Sequence, residues 1–405
     1  MTAPARARPG PLSATYLSFV TATGLSSLGD AAWLLALTTT LVGAAGATTA
    51  GLVLALAGAP RVVALLGGGV LADRYGPARV MAWADLLRCA VMVVAAVVVL
   101  VVEPTVAVLA VTAAAMTLLG AFFVPASGAL RPLLLPEEHL VRGNALYLIG
   151  LRTGQAAGGP VGAALLGLGG VVAVALANAA SFVLSAAAVR RTRPAPPTST
   201  GDRLPVRTRI VEGLRHVAAD SPLRTLVVVV GLLELAAAGP VNIGLVLVAH
   251  SAGAGDAGAG LLLTAFTLGA TASFVLTLVR PVGRRASAAL VVGGCVQALV
   301  LGCLGVLGTL PALLAGYGVL GFVTALSGVV LTSMIQRRTP APVRGRVMSI
   351  MSLVVFGAPL LGNALIGVAI DLLGLTATMA LHGLGAVAAV CVFASAPALR
   401  GARLD

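Results

Sequence analysis

Gly69-Val70-Leu71-Ala72-Asp73-Arg74-Tyr75-Gly76-Pro77-Ala78-Arg79 sets three charges and a Gly-Pro pair between two long apolar stretches, 48–72 and 78–102. The second ends in Cys89-Ala-Val-Met-Val-Val-Ala-Ala-Val-Val-Val-Leu-Val-Val102, without one charged side chain. About 20 apolar residues suffice for a helix to cross a hydrocarbon core about 30 Å thick. Both stretches are long enough, and Gly76-Pro77 marks a turn between them. The segment therefore reads as the short polar connection of a membrane hairpin.

The same pattern extends in both directions. Apolar runs bounded by Gly, Pro or charge fall at 13–42, 48–72, 78–102, 105–127, 140–167, 170–190, 223–249, 258–280, 286–308, 311–335, 343–370 and 374–398. Of 405 residues 59% are hydrophobic and only 10% charged, against about a quarter charged in soluble domains. The expected fold class is an all-α membrane protein with twelve transmembrane helices. The first run follows Arg6 and Arg8 but is too long for a signal peptide's apolar core and contains Asp30, so it reads as a retained first helix.

All 26 basic residues are arginine, and the net charge is +13. Of these arginines 23 lie at the termini or in and beside the loops after even-numbered runs, while the loops after odd-numbered runs hold none. Only Arg61, Arg88 and Arg152 fall in the interior of runs, the others within a few residues of a loop or terminus. Such segregation follows the positive-inside rule, so both termini are expected in the cytoplasm, and nucleic acid is not an expected partner. Without lysine there is no P-loop and no Schiff-base or nucleophilic lysine. The four cysteines and four histidines are scattered, which gives neither a metal site nor a cofactor site.

One polar linker interrupts the runs, with Pro194 to Thr200 at its centre. It divides the chain into bundles of six helices at 1–190 and 223–405, joined by 191–222. Within the linker, Ile210, Leu214 and Val217 recur at helical spacing beside charged residues. An amphipathic helix on the cytoplasmic membrane surface fits, as does a solvated linker helix. Val141-Arg142-Gly143 recurs as Val343-Arg344-Gly345, and Asp73-Arg74-Tyr75-Gly76 is echoed by Arg280-Pro281-Val282-Gly283, at offsets of 202 and 207. Two such echoes in matching loops indicate a parallel, pseudo-twofold internal repeat.

With this architecture in hand, the segment at 69–79 resembles the G-x-x-x-D-R-x-G-R-R motif of the major facilitator superfamily. Gly69, Asp73, Arg74, Gly76 and Arg79 match, while Pro77 and Ala78 depart from it. The resemblance implies that this loop latches a cytoplasmic gate, with Asp73 accepting hydrogen bonds at a neighbouring helix N-terminus. In the second half Arg280 replaces the acid, so that copy cannot make the same latch. Gly154-Gln155-Ala156-Ala157-Gly158-Gly159-Pro160-Val161-Gly162 resembles the antiporter motif G-x-x-x-G-P-x-x-G-G of facilitator-type exporters. Gln155 and Ala163-Ala164 depart from it. Generic packing of small residues between membrane helices is the alternative. Ser27-Leu28-Gly29-Asp30, Asp85-Leu-Leu-Arg88 and Pro125-Ala126-Ser127 resemble the drug-efflux branch related to macrolide and enterobactin exporters. That implies a bacterial cytoplasmic membrane and a monomer.

Asp30, Arg61, Arg152 and Glu234 are expected near mid-bilayer, where each charge costs about 2.5–3.5 kcal/mol even on the lower scales. Each needs a partner or water. Asp30 and Glu234 are 204 residues apart, close to the repeat offset, and so occupy nearly equivalent places on the first and seventh helices. A carboxyl taken out of water favours its neutral form, which makes both candidates for proton coupling. Permanent pairing of Asp30 with Arg61 or Arg152 is the structural alternative. Thr23, Ser26, Ser27 and Asp30 share a face that reads as a cavity wall. Trp33, Arg152 and Gln155 are candidate substrate contacts, and His382 a weaker polar candidate. Thr264, Thr267 and Thr271 form a stripe whose hydroxyls are expected to bond their own helix.

These features point to proton-coupled export of a small amphiphilic compound by alternating access. A nutrient symporter or uniporter is the rival. An intramembrane enzyme or sensor is a third reading, against which stands the lack of clustered His, Asp and Glu at a spacing such as H-E-x-x-H.

Overall fold

A computed structural model describes residues 13–136, 139–192, 206–279 and 286–400. The helices are α1 (Ala14–Tyr75), α2 (Pro77–Val102), α3 (Val106–Leu134), α4 (Leu140–Arg191), α5 (Val206–Ala219), α6 (Ser221–Gly239), α7 (Leu245–Ser251), α8 (Gly255–Val279), α9 (Ala286–Leu304), α10 (Leu310–Arg338), α11 (Ala341–Ala394) and α12 (Pro397–Arg400). A π-helical turn, Pro240–Gly244, joins α6 to α7, so that Ser221–Ser251 forms one span.

Nine helical segments among the described residues are long and apolar enough to cross a membrane, and three of them run to 48, 50 and 52 residues. A straight helix of 50 residues would measure about 75 Å, more than twice the hydrocarbon thickness. Each of the three breaks once. Gly46 (φ 76°) interrupts α1, Gly169 and Gly170 (φ 62° at Gly170) interrupt α4, and Gly374 (φ 79°) interrupts α11. A positive φ is costly for residues with a Cβ, so glycine sets the place where each helix turns back. Three paired spans and six single ones give twelve passes, with the breaks at or beside the loops expected at 43–47, 168–169 and 371–373. The all-α, twelve-helix expectation holds.

Apolar side chains remain widely exposed: Leu56 is 71% accessible, Val101 80% and Leu168 85%. In water such surface would drive association. Against lipid tails it costs nothing, because the solvent is as apolar as the side chain.

The chain folds as two compact units, Met1–Leu34 with Val63–Asp202 and Leu35–Val62 with Arg203–Asp405. In the first, Tyr16, Phe19, Met81, Leu130 and Leu135 are buried in a core that α1 shares with α2, α3 and α4. Tyr16 Oη donates to Gly143 O at 2.8 Å, and Ser127 Oγ donates to Tyr147 Oη at 2.8 Å. In the second unit, residues 47–58 of α1 lie against α11. A Cβ on Gly51 would strike the carbonyl of Asn363, one on Gly58 the side chain of Leu360, and one on Gly367 the backbone of Ala47 and Thr48. Absent side chains let these two helices approach closely. Thr48 Oγ1 donates to Asp371 Oδ2 at 2.5 Å nearby.

The linker helix expected around 209–217 is present as α5. Its Gly213 and Val217 are buried, with Gly213 facing Arg346 O and Ile350 of α11, and Glu212 Oε2 lies 2.6 Å from Arg346 Nη1.

Candidate functional site

In the first unit the site is organised by the seating of α4 on the first limb of α1. Gly150, Gly154, Gly158 and Gly162 recur every fourth residue and so share one helix face. A Cβ on Gly154 would run into Gly24 O, one on Gly158 into Ala31 and Leu28 O, and one on Gly162 into the Ala32 backbone. Gly159 is buried and Pro160 half-buried. The glycine motif of α4 therefore holds α1 at backbone-to-backbone distance, which fixes the depth and rotation of Asp30 and Trp33.

Asp30 carries the one half-exposed side chain of its polar face: Thr23, Ser26 and Ser27 are 3%, 3% and 7% accessible, packed inside protein rather than lining open space. Thr23 Oγ1 donates to Phe19 O at 2.8 Å. Asp30 Oδ2 receives a hydrogen bond from Arg88 Nη1 at 3.1 Å. Arg88, which the sequence-based alternative did not name, is thus a partner of Asp30. Arg88 also bonds Asp85 Oδ1 through Nη2, three residues earlier on α2. The rings of Phe182 and Phe123 lie 4.3 and 4.9 Å from its guanidinium carbon. The Arg88 side chain is 5% accessible, Asp85 0% and Asp30 43%. One sealed cation is therefore shared by one sealed and one half-exposed carboxylate. Cation–π contact adds about 2 kcal/mol or more where such a cation is desolvated.

Arg152 Nη1 donates to Gln155 Oε1 at 2.9 Å, which brings two of the expected substrate contacts together. Trp33 is 4% accessible, and its buried indole N–H has no hydrogen-bond acceptor among the described residues. In the second unit Arg61 stacks on Phe356, 4.4 Å from the ring centre.

Glu234 lies half-buried in the middle of the α6–α7 span, with no ion-pair partner among the described residues. The carbonyls around it are served by other helices. Gln297 Nε2 of α9 donates to Leu233 O at 3.4 Å, and His382 Nδ1 of α11 lies 2.9 Å from Ala236 O. In a regular helix Ala236 O would accept from residue 240, but Pro240 has no N–H. His382 supplies the missing donor, which assigns its proton to Nδ1 and makes its role structural. The π-turn follows at once; Tyr317 Oη donates to Pro240 O at 2.9 Å, and Asn242 Nδ2 donates to Asn363 Oδ1 at 3.1 Å. Turns of this kind concentrate at functional places in helices. The threonine stripe of α8 does as expected: Thr264, Thr267 and Thr271 donate to Gly260 O, Leu263 O and Thr267 O.

Of the gate motif, Gly76 adopts φ 87° between α1 and α2, and Arg74 and Arg79 are placed on either side of it, with Arg74 exposed over the Tyr75 ring at 5.4 Å. The surroundings of Gly69, the side chain of Asp73 and the whole of Arg280 and Gly283 lie outside the described residues. Farther along, Asp220 caps α6 by accepting from Leu223 N at 2.9 Å, and Arg338 Nε lies 3.0 Å from the same carboxylate.

The sequence places Arg88 among three intraspan arginines but gives it no partner. The signal it does carry is the three-residue spacing from Asp85, which puts both on one helix face. The role of His382 is hidden because its partner is a carbonyl, which no sequence pattern displays.

Twelve helical passes, a glycine-seated first helix and intraspan carboxylates define a multi-pass membrane transporter. Residues 19–241, more than half of the chain, match the family model of the Major Facilitator Superfamily, and the chain belongs to that family. It is a transporter rather than an enzyme. It is 29% identical over 360 residues to the multidrug efflux pump Tap of Mycolicibacterium fortuitum, covering 80% of this chain and 82% of that one. Among solved structures, a mutant of the nucleoside transporter NupG superposes with a TM-score of 0.77 at 14% identity, covering 94% of this chain and 99% of the other. A POT family transporter in complex with a thioalcohol-conjugated peptide gives 0.71 at 13% identity, covering 94% and 95%. These two likenesses establish the fold.

Proposed function

We propose that the protein exports a small amphiphilic compound in exchange for protons, as a monomer in a bacterial cytoplasmic membrane with both termini in the cytoplasm. The similarity to a multidrug efflux pump supports the direction and the substrate class. The Asp30–Arg88–Asp85 cluster carries the coupling. Its two carboxylates and one guanidinium sum to one negative charge, so one proton neutralises it. Asp85 keeps Arg88 compensated while Asp30 takes up or releases that proton, which avoids leaving a bare buried charge. Glu234, which lacks a cation among the described residues, is the second proton carrier at the equivalent place in the repeat. Arg152 and Gln155 supply polar contacts to the substrate, and Trp33, packed at 4% accessibility here, reaches it in another state of the cycle. The loop at 69–79 gates the cytoplasmic side through Asp73.

Reconstituted protein with an imposed pH gradient and a panel of lipophilic cations and neutral amphiphiles tests the reading. Uptake that depends on the gradient, with matching proton counterflow, is expected. Substrate movement indifferent to the gradient would instead make the protein a uniporter.

A further inference from the structure

Beyond its break at Gly169 and Gly170, α4 sets Asn178, Ser181, Phe182 and Ser185 on one face, in the first unit, against the Asp30–Arg88–Asp85 cluster. Asn178 and Ser185 are 0% accessible and Ser181 8%. A Cβ on Gly29, the residue before Asp30, would strike Asn178 Oδ1 and come within 2.8 Å of Ser181 Oγ, so the amide sits directly beside the Asp30 backbone. One turn on, the Phe182 ring covers the Arg88 guanidinium. At the end of the same face Ser185 Oγ lies beside Asp85 without closing a hydrogen bond.

The polar atoms here are only partly used. Asn178 Oδ1 accepts from Ser181 Oγ at 3.2 Å, and an amide oxygen can accept twice. Asn178 Nδ2, Ser185 Oγ, Arg88 Nε and Asp85 Oδ2 are buried without a hydrogen-bond partner among the described residues. Burying such groups unpaired is costly, so an apolar side chain would fill the same space better. The spare capacity of α4 is complementary to the cluster. It offers an acceptor one turn from the ring on Arg88 and a hydroxyl donor beside the unpaired oxygen of Asp85.

Given the coupling role proposed above for Asp30, we infer that Asn178 and Ser185 are positioning residues, a second set of hydrogen-bond partners for Arg88 and Asp85. Arg88 Nη1 is held by Asp30 Oδ2 at 3.1 Å. Once Asp30 is protonated it attracts the guanidinium far less, and a sealed cation must find another acceptor. Asn178 Oδ1 supplies it, while the Ser185 hydroxyl turns to Asp85 Oδ2 as the guanidinium shifts. Neither buried charge is left bare in either state, so the proton on Asp30 comes and goes against a small barrier. The charged groups of the cluster are Asp30, Asp85 and Arg88; what α3 and this limb of α4 bring to it, Phe123, Asn178, Ser181, Phe182 and Ser185, is uncharged, and Arg152 lies on the other limb of α4.

Melting temperatures in detergent of Asn178→Thr and Asn178→Val, two side chains of one shape that differ in the acceptor, test the inference as a double-mutant cycle. Each is made in the parent and in Asp30→Ala. In the parent Asp30 holds Arg88, and the two variants should melt alike. In Asp30→Ala, where Arg88 must turn to position 178, the Thr variant should melt several degrees above the Val variant. Ser185→Ala should likewise lower the melting temperature more in Asp30→Ala than in the parent. A Thr–Val gap of equal size in both backgrounds would overturn the inference and leave Asn178 a packing residue. If Asp30→Ala with Asn178→Val does not fold, its Thr counterpart must, because the acceptor is retained; loss of both overturns the inference as well. These readouts involve no transport, whereas the coupling role of Asp30 stands or falls on gradient-driven flux, so the two failures are distinct.

Discussion

Asp30 and Arg88 stand 3.1 Å apart across α1 and α2, the acid half-exposed and the base sealed beneath it. A pair so asymmetric in its access to the surroundings behaves unlike a buried bridge. The acid can exchange a proton without moving the cation, because Asp85 and two aromatic rings hold the guanidinium from the other side.

Asp30→Asn and Glu234→Gln are each expected to abolish export driven by a pH gradient while keeping substrate binding and downhill exchange. Radiolabelled or fluorescent substrate flux in proteoliposomes, with and without the gradient, measures both. Full gradient-driven export by the double variant would refute the coupling role.

Arg88→Ala should be among the most damaging single substitutions, since it strands Asp85 in a sealed site. Removing one partner of a buried pair costs about 3–5 kcal/mol. The combined Asp85→Ala, Arg88→Ala variant is expected to recover much of the melting temperature in detergent, with coupling altered. No recovery would show that packing around the phenylalanines, rather than charge, is what the arginine provides.

Gly154→Ala and Gly167→Ala test the glycine-mediated seating. The first puts a methyl into the Gly24 carbonyl, whereas nothing lies within 4 Å of a Cβ at the second. Overpacking of this kind costs about 1–3 kcal/mol. The Gly154 variant should melt lower and transport slowly, and the Gly167 variant should match the parent within error.

Asp220 gives a pH dependence outside the membrane. Burial alone would raise its carboxyl, but the Leu223 N–H and the Arg338 guanidinium together hold it below the ordinary carboxylate range. A depressed folded-state value means that this stabilisation is complete above the unfolded value of about 3.9 and is lost as pH falls through the folded value. Asp220→Ala should therefore cost about 1 kcal/mol at neutral pH, as loss of a helix cap does. The gap between mutant and parent should close below about pH 4. Melting temperatures of both proteins across pH 3–7 would show it; a gap that widens on acidification would contradict the sign.

Much of the fold can be read from the chain because the bilayer imposes a length on every element. Gly46, Gly170 and Gly374 are turns that hydropathy alone locates, since an apolar helix twice as long as the membrane must fold back. The glycines of α4 are legible as a packing face, though not the helix they meet. Side-chain partners are the harder problem. Arg88 and Asp30 are 58 residues apart, and nothing in a hydropathy pattern brings them together. Likewise, the bond from His382 to Ala236 exists because Pro240, one turn farther along that helix, withholds a donor, a dependence visible only after folding.

The glycine reversals leave almost no slack chain where they occur. Where α1, α4 and α11 turn back, one or two residues suffice, and the sequence there holds no arginine. A protease such as trypsin, added to that side of the membrane, would find nothing to cut and little to unfold. An antibody would find scarcely an epitope. The long, arginine-bearing connections belong to the opposite ends of the spans, so digestion and immune recognition should both distinguish sharply between the two faces of the same membrane.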